Sequence, residues 1–200
     1  VADSKKKKSN VDFGDTTEIE IGDYFNFHNH TIYSTLTATS HFNELIKAAA
    51  ENDYKAVGMV DLGNLMGAFK FVSEVEKYNG DIKKKKAEAE EKGEEFTKTP
   101  LVPVLGCEFY ISERPEQKER RTNIVRLANS FKWYKNLAKL SSLGFTNGFY
   151  AGVPRISKKQ IAEFKEDLIA VTSGIYGDVP NAILNFGEQS QQALMVCDWR

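Results

Sequence analysis

The sequence predicts an α/β fold, with strands and helices alternating along a parallel sheet or barrel. Three observations carry that expectation. Short apolar runs bounded by turn residues recur between stretches whose apolar residues repeat at helical spacing. AVILMFWYC residues fill 41% of the 200 positions and charged residues 28%, with 14 Gly and 5 Pro, which is the profile of a globular domain rather than a disordered or collagen-like one. No apolar run approaches the roughly 18 residues of a membrane span, so no membrane partner is expected.

Residues 1–22 read as a polar tail or linker ahead of a domain over 23–200. Their lysine cluster has no apolar stretch behind it and makes no secretory signal. Tyr24–Asn29 is expected as the first strand, with Phe25 and Phe27 on one face and His28 and His30 on the other. Ser40 is placed to cap a helix over 41–52, where Phe42, Leu45, Ile46 and Ala49 form an apolar stripe. Lys55–Val60 is a second strand, and Leu65–Tyr78 a second helix with Leu65, Phe69, Val72 and Val75 on one side.

Residues 81–98, DIKKKKAEAEEKGEEFTK, hold hardly an apolar residue and read as a charged insertion, a solvated helical excursion or mobile loop. The glutamates that follow its lysines argue against a nucleic-acid contact. Val102–Ile111 is a third strand, interrupted at Gly106, and Asn123–Ala128 a fourth. Phe131–Leu143 is helical, with Tyr134, Leu137, Ala138 and Ser141 on one face. Ser157–Phe164 is a short helix, Leu168–Thr172 a fifth strand, and Val179–Phe186 and Glu188–Trp199 are helical. No repeat of fixed period is present.

A formal net charge of −1 argues against a domain that grips nucleic acid by bulk charge. Two cysteines, Cys107 and Cys197, make no disulfide framework, and a reduced, cytoplasmic protein is the simplest reading. The three histidines, His28, His30 and His41, fall close together. His28 and His30, two apart on a strand, point the same way and are spaced to share one metal. Asp61 and Glu108 lie at or near the ends of later strands, the edge where α/β folds build their sites.

The order of these motifs resembles the PHP domain at the N-terminal side of bacterial replicative DNA polymerase III alpha subunits. That family's HxHTxYS is matched by His28–Ser34, its TDHGNLxGAxxF by Val60–Phe71 (VDLGNLMGAFKF), and its P(I/V)xGCExY by Pro103–Tyr110 (PVLGCEFY). Arg126–Ile156 and Leu168–Pro180 match two further segments, and the similarity runs from about Tyr24 to the C-terminus. The resemblance implies a distorted (β/α)7 TIM-like barrel, incomplete in this stretch. It also implies a fragment of a much larger polymerase subunit.

Active members of the family hold up to three metal ions and hydrolyse phosphoesters. In some alpha subunits that chemistry suits 3′–5′ proofreading. Carried over residue by residue, His28 and His30 match the first ligand pair and Glu108 the bridging glutamate. Four expected ligands are replaced: an aspartate by Thr37, the histidine of TDHG by Leu62, a strand histidine by Asn123 and a cysteine by Ile175. Asp61 is kept, but its neighbour is the family's ligand. A last Asp-x-His pair falls beyond Arg200.

The surviving set implies no metal cluster, and at most one zinc or manganese on His28, His30 and Glu108. Without metal, the two histidines and Glu108 are expected to bond one another, or Asp61 and Asn123. His41 reads as exposed. Lys132, Lys135 and Lys139 read as a solvated helix face, and the nearby aromatics as core packing rather than base stacking.

The resemblance implies a structural and docking role. The partners it implies are the rest of the polymerase subunit and a proofreading exonuclease, with the sliding clamp and DNA reached through other domains. The magnesium of polymerisation belongs to a domain outside this chain. The competing expectation is a phosphoesterase or proofreading nuclease with a reduced metal site.

Overall fold

The computed structural model describes residues 24–128, 130–166 and 168–187. The tail expected at 1–22 and the helix expected at Glu188–Trp199, Cys197 included, lie outside them. Helix α1 (Phe42–Glu51) buries Phe42, Ile46 and Ala49. Its N-cap is His41 rather than Ser40. The Glu44 carboxylate accepts the His41 N–H at 3.0 Å, the reach-back half of a capping box. His41 is exposed, as expected.

Strand β1 (Ala56–Leu62) is buried over its first six residues, as a strand covered on both faces must be. Helix α2 (Ala68–Lys92) runs 25 residues and passes the stop expected at Tyr78. The Lys, Ala and Glu of the charged stretch are good helix formers. Ile82 and Ala89, two turns apart, give them a buried seam. Gly93, at φ 69°, ends the helix in the left-handed conformation glycine adopts without strain. The insertion is therefore helical as far as Lys92 and irregular beyond it. Asn79 returns the chain to the core: its amide donates to the Leu101 carbonyl and accepts the Leu101 N–H, both at 2.8 Å.

The remaining elements are β2 (Val102–Ile111), β3 (Thr122–Ala128), α3 (Phe131–Asn147), β4 (Phe149–Tyr150), β5 (Val153–Ile156), α4 (Lys158–Glu163), β6 (Leu168–Thr172) and α5 (Asp178–Phe186). The β4–β5 hairpin was not anticipated. Ala151 (φ 50°) and Gly152 (φ 80°) turn it within two residues, the positive-φ geometry that matches strand twist.

β2 is the hub of the sheet. β1 lies parallel along it from Ala56↔Val102 to Leu62↔Glu108. β5 continues parallel on the same edge at Tyr110↔Arg155 and Ile111↔Ile156. β3 is antiparallel on the other edge, and β6 is antiparallel to β3. The sheet is mixed, not parallel as expected. The connection over 112–121 is shorter than the dozen or so residues a parallel crossover needs, so β3 must return antiparallel.

The strand expected at Tyr24–Asn29 is instead an extended segment beside β1. It is tied by Gly58 N–H to the Asn26 carbonyl (3.3 Å) and Val60 N–H to the Asn29 carbonyl (2.8 Å).

Alternation along β2 sorts the core. Cys107, Phe109 and Ile111 pack with Ile124, Leu137, Leu140 and Ile156. Val57 and Met59 of β1 pack with Phe42, Ile46, Phe71 and Val75 of α1 and α2. The opposite face carries a smaller cluster of Val60, Val125 and Leu127, with Phe27 and Val104 against it. Glu108 shares that second face. Among the described residues no helix is long and apolar enough to cross a membrane.

Candidate metal site

Parallel pairing of β1 with β2 sets Leu62 beside Glu108, and the extended segment brings two histidines to the same place. His28 Nε2 and His30 Nε2 each lie 2.8 Å from one oxygen, Oε2 of Glu108. Asn123, on β3, donates its amide to the other oxygen at 2.9 Å. The two imidazoles meet edge to face at 5.2 Å, and the Phe27 ring stacks on His28 at 6.4 Å. Glu108 is buried, while the histidine side chains keep 32% and 28% of their surface, so the cluster opens on its histidine side. As hydrogen bonds, both contacts require the ring proton on Nε2.

Burial alone would raise the Glu108 pKa. The bonds from His28, His30 and Asn123 outweigh it and hold the carboxyl well below the usual carboxylate range. A depressed folded pKa means stability that is present above the unfolded value, about 4.3, and lost as pH falls below it. The stability advantage over Glu108→Gln is therefore expected to shrink as pH drops below about 4.3 in urea unfolding. An advantage that widens as pH falls below about 4.3 would contradict this arrangement of bonds.

The donor set admits a single ion. One ligand atom from each of His28, His30 and Glu108 lies within 4.8 Å of the others. Two imidazole nitrogens and a carboxylate oxygen suit zinc or manganese. Among the described residues no further His, Cys, Asp or Glu joins this group. Leu62, beside Glu108, offers no donor atom. Ile175 is 63% exposed and offers no donor atom. Thr37 gives its hydroxyl to the Ser34 carbonyl at 2.6 Å. Asn123 supplies an amide N–H to Glu108 rather than a ligand atom. His41, at the start of α1, is not in the group.

Asp61 does not bond the histidines. It is fully buried, and Oδ1 accepts the Thr31 N–H and the Ser34 hydroxyl, both at 2.6 Å, while Oδ2 accepts the Thr31 hydroxyl at 2.7 Å. Ser34 Oγ in turn accepts the Leu62 N–H at 3.0 Å. Asn64 adds a second tie, donating to the carbonyls of Tyr33 and Leu62, each at 3.0 Å. Sequence reasoning missed these positioning residues. The signal was present in the Thr and Ser of HxHTxYS, small hydroxyl donors spaced to fold back on one acceptor.

The lysines of α3 are exposed as expected; Lys135 sits 5.3 Å over the Phe131 ring and Lys139 5.4 Å over Phe164. Phe131, expected in the core, is 74% exposed.

The fold is thus a mixed sheet flanked by helices, with two histidines and a glutamate converging beside its strands. The sequence pattern of the PHP domain matches residues 26–199, and the chain belongs to that family. Its α/β fold accords with the family's distorted TIM-like barrel.

The chain is similar to the DNA polymerase III subunit alpha of Aquifex aeolicus, 33% identical over 178 residues, covering 83% of this chain and 13% of that protein. The Chlamydia trachomatis subunit is 29% identical over 175 residues, covering 84% and 12%. That of Thermus aquaticus is 28% identical over 171 residues, covering 80% and 12%. The chain spans about an eighth of the length of these relatives.

Proposed function

We propose that this chain is the PHP module of a replicative DNA polymerase of the kind its relatives represent, in a bacterial cytoplasm, with a reduced metal site and a structural role. The domain, over 23–200, steadies the polymerase and offers a surface to a proofreading exonuclease, fused or separate. Template-directed synthesis, its magnesium, and contacts with DNA and the sliding clamp belong to other parts of such a polymerase.

The observation that carries this reading is the engagement of Glu108. Both its oxygens are taken by protein donors, His28, His30 and Asn123, at 2.8, 2.8 and 2.9 Å. A hydrolytic cluster needs two or more ions about 3.5–4 Å apart to activate water and clamp phosphate oxygens. Thr37, Leu62, Asn123 and Ile175 supply no ligands for it.

A second reading, a single-ion phosphoesterase or 3′–5′ exonuclease, is favoured by the convergence of three donors within 4.8 Å. His28, His30 and Glu108 would hold the ion, and Asn123 would fix the Glu108 carboxylate. A bound ion there supplies Lewis-acid activation of water. The two readings separate in an assay of bis(p-nitrophenyl) phosphate with added zinc or manganese. No chelator-sensitive turnover is expected. Turnover abolished by chelator and lost in His30→Ala would overturn the structural reading. Calorimetric titration with the proofreading exonuclease of the same organism tests docking, and binding is the expected result.

A further inference from the structure

We propose that the cleft between α2 and α3 is a docking groove for an acidic peptide segment that presents an aromatic or aliphatic anchor. The inference rests on the docking half of the function proposed above, to which it adds a face and a partner chemistry.

The cleft is a cavity of about 350 Å³ walled by Phe69 and Val72 of α2, Pro103 and Leu105 of β2, and Phe131 and Tyr134 of α3. Its lips are two phenylalanines left in water: Phe69 is 85% exposed and Phe131 74%. Exposed aromatics grouped at a concave apolar site mark a binding surface more often than a scattered leucine does. Phe131 stacks on Tyr134 at 6.2 Å, and Lys135 lies over the Phe131 ring at 5.3 Å.

Charge selects the partner. Helix α3 carries Lys132 and Lys135, both exposed, and not one acidic residue from Phe131 to Asn147, while its Lys139 turns away to Phe164. Lys70, next to Phe69, adds a third exposed cation, while the acids on the Val72 side of α2 begin one turn further along, at Glu76. The result is an apolar slot with a basic rim, complementary to an apolar anchor flanked by Asp or Glu.

The slot is closed on its sides by aliphatic Val72, Pro103 and Leu105. That shape fits a side chain better than an open platform for stacked bases. Pro103 and Leu105 alternate onto the face opposite Glu108, so the groove is separate from the metal site.

The test pans a phage library of random dodecapeptides on the immobilised 200-residue chain, then measures one selected peptide, fluorescein-labelled, by anisotropy. Selected peptides are expected to share an aromatic or aliphatic residue between acids. Their Kd is expected to rise about tenfold in Phe131→Ser and severalfold in Lys135→Glu. Added salt is expected to weaken binding, and Leu36→Ser, at a fully exposed loop position, to leave it unchanged. Phe131 and Lys135 are exposed, so unchanged far-UV circular dichroism is expected and separates lost binding from lost folding.

Four results would overturn the proposal: no enrichment, binding indifferent to Phe131→Ser, displacement of the peptide by oligo-dT, or a concentration-dependent dimer dispersed by Phe69→Ser. If the groove fails while calorimetry still shows exonuclease binding, only the groove is lost. Failure of both removes the docking role.

Discussion

Asp61→Ala is expected to destabilise the protein by about 3–5 kcal/mol, because it strips a buried charged acceptor from three donors at once. The Thr31 N–H and hydroxyl and the Ser34 hydroxyl all end on this carboxylate at 2.6–2.7 Å, at a position with no exposed surface. Alanine leaves those donors facing a cavity too apolar to hydrate them well. Asparagine keeps the shape but turns an N–H toward donors, so it is expected to recover only part of the loss. The damage also reaches the site, since residues 31–34 anchor the segment that carries His28 and His30. Urea unfolding gives the magnitude, and hydrogen exchange at the Thr31 amide gives the locality. A loss under about 1 kcal/mol, with Thr31 still protected, would show that water replaces the carboxylate.

Gly58→Ala is the second large effect, and it is steric. A Cβ on Gly58 would stand 2.2 Å from the Phe27 carbonyl oxygen and 2.3 Å from its Cα. Both are backbone atoms, so no rotamer change relieves the clash. The segment is bound to Gly58 on both sides: its N–H donates to the Asn26 carbonyl at 3.3 Å, and its carbonyl accepts the Asn29 amide at 3.1 Å. A methyl group there must push the whole run 26–30 away from β1. Phe27 then leaves Val60, Val125 and Leu127, and His28 leaves Glu108. The expected cost is about 3 kcal/mol, the upper end for overpacking. Gly80→Ala is the control: its Cβ meets nothing within 4 Å on an exposed turn of α2, and alanine is the better helix former. Equal unfolding midpoints for the two variants would contradict the close approach of the segment to β1.

How far the fold could be read from the chain depended on where its information lay. The helices with a dense apolar stripe, α1 and α3, were legible because each buries a face at 3.6-residue spacing. The second half of α2 was not, because only Ile82 and Ala89 mark its seam within a charged run. The direction of β3 is set by a loop length, not by a pattern within the strand. The β4–β5 hairpin turns on an Ala-Gly pair, a weaker signal than Asn-Gly. The Tyr24–Asn29 segment has the alternation of a strand, but it pairs with β1 at only two backbone bonds.

The site was more legible than the topology. His28, His30 and Glu108 stand in short motifs, and the structure brings all three together. Asn123 also takes its expected place on Glu108. Asp61 was misread, because its partners are backbone and hydroxyl groups whose convergence depends on a loop conformation.

The most direct test of a reduced site is metal content by plasma mass spectrometry. The chain, free of any histidine tag, is dialysed against trace zinc and manganese beside His28→Ala and a longer stretch that extends past Arg200. Near-zero metal in all three is the expected result, because the Glu108 oxygens are already satisfied by His28, His30 and Asn123. One or more equivalents per chain, lost in His28→Ala, would contradict it and make the cluster a working metal site.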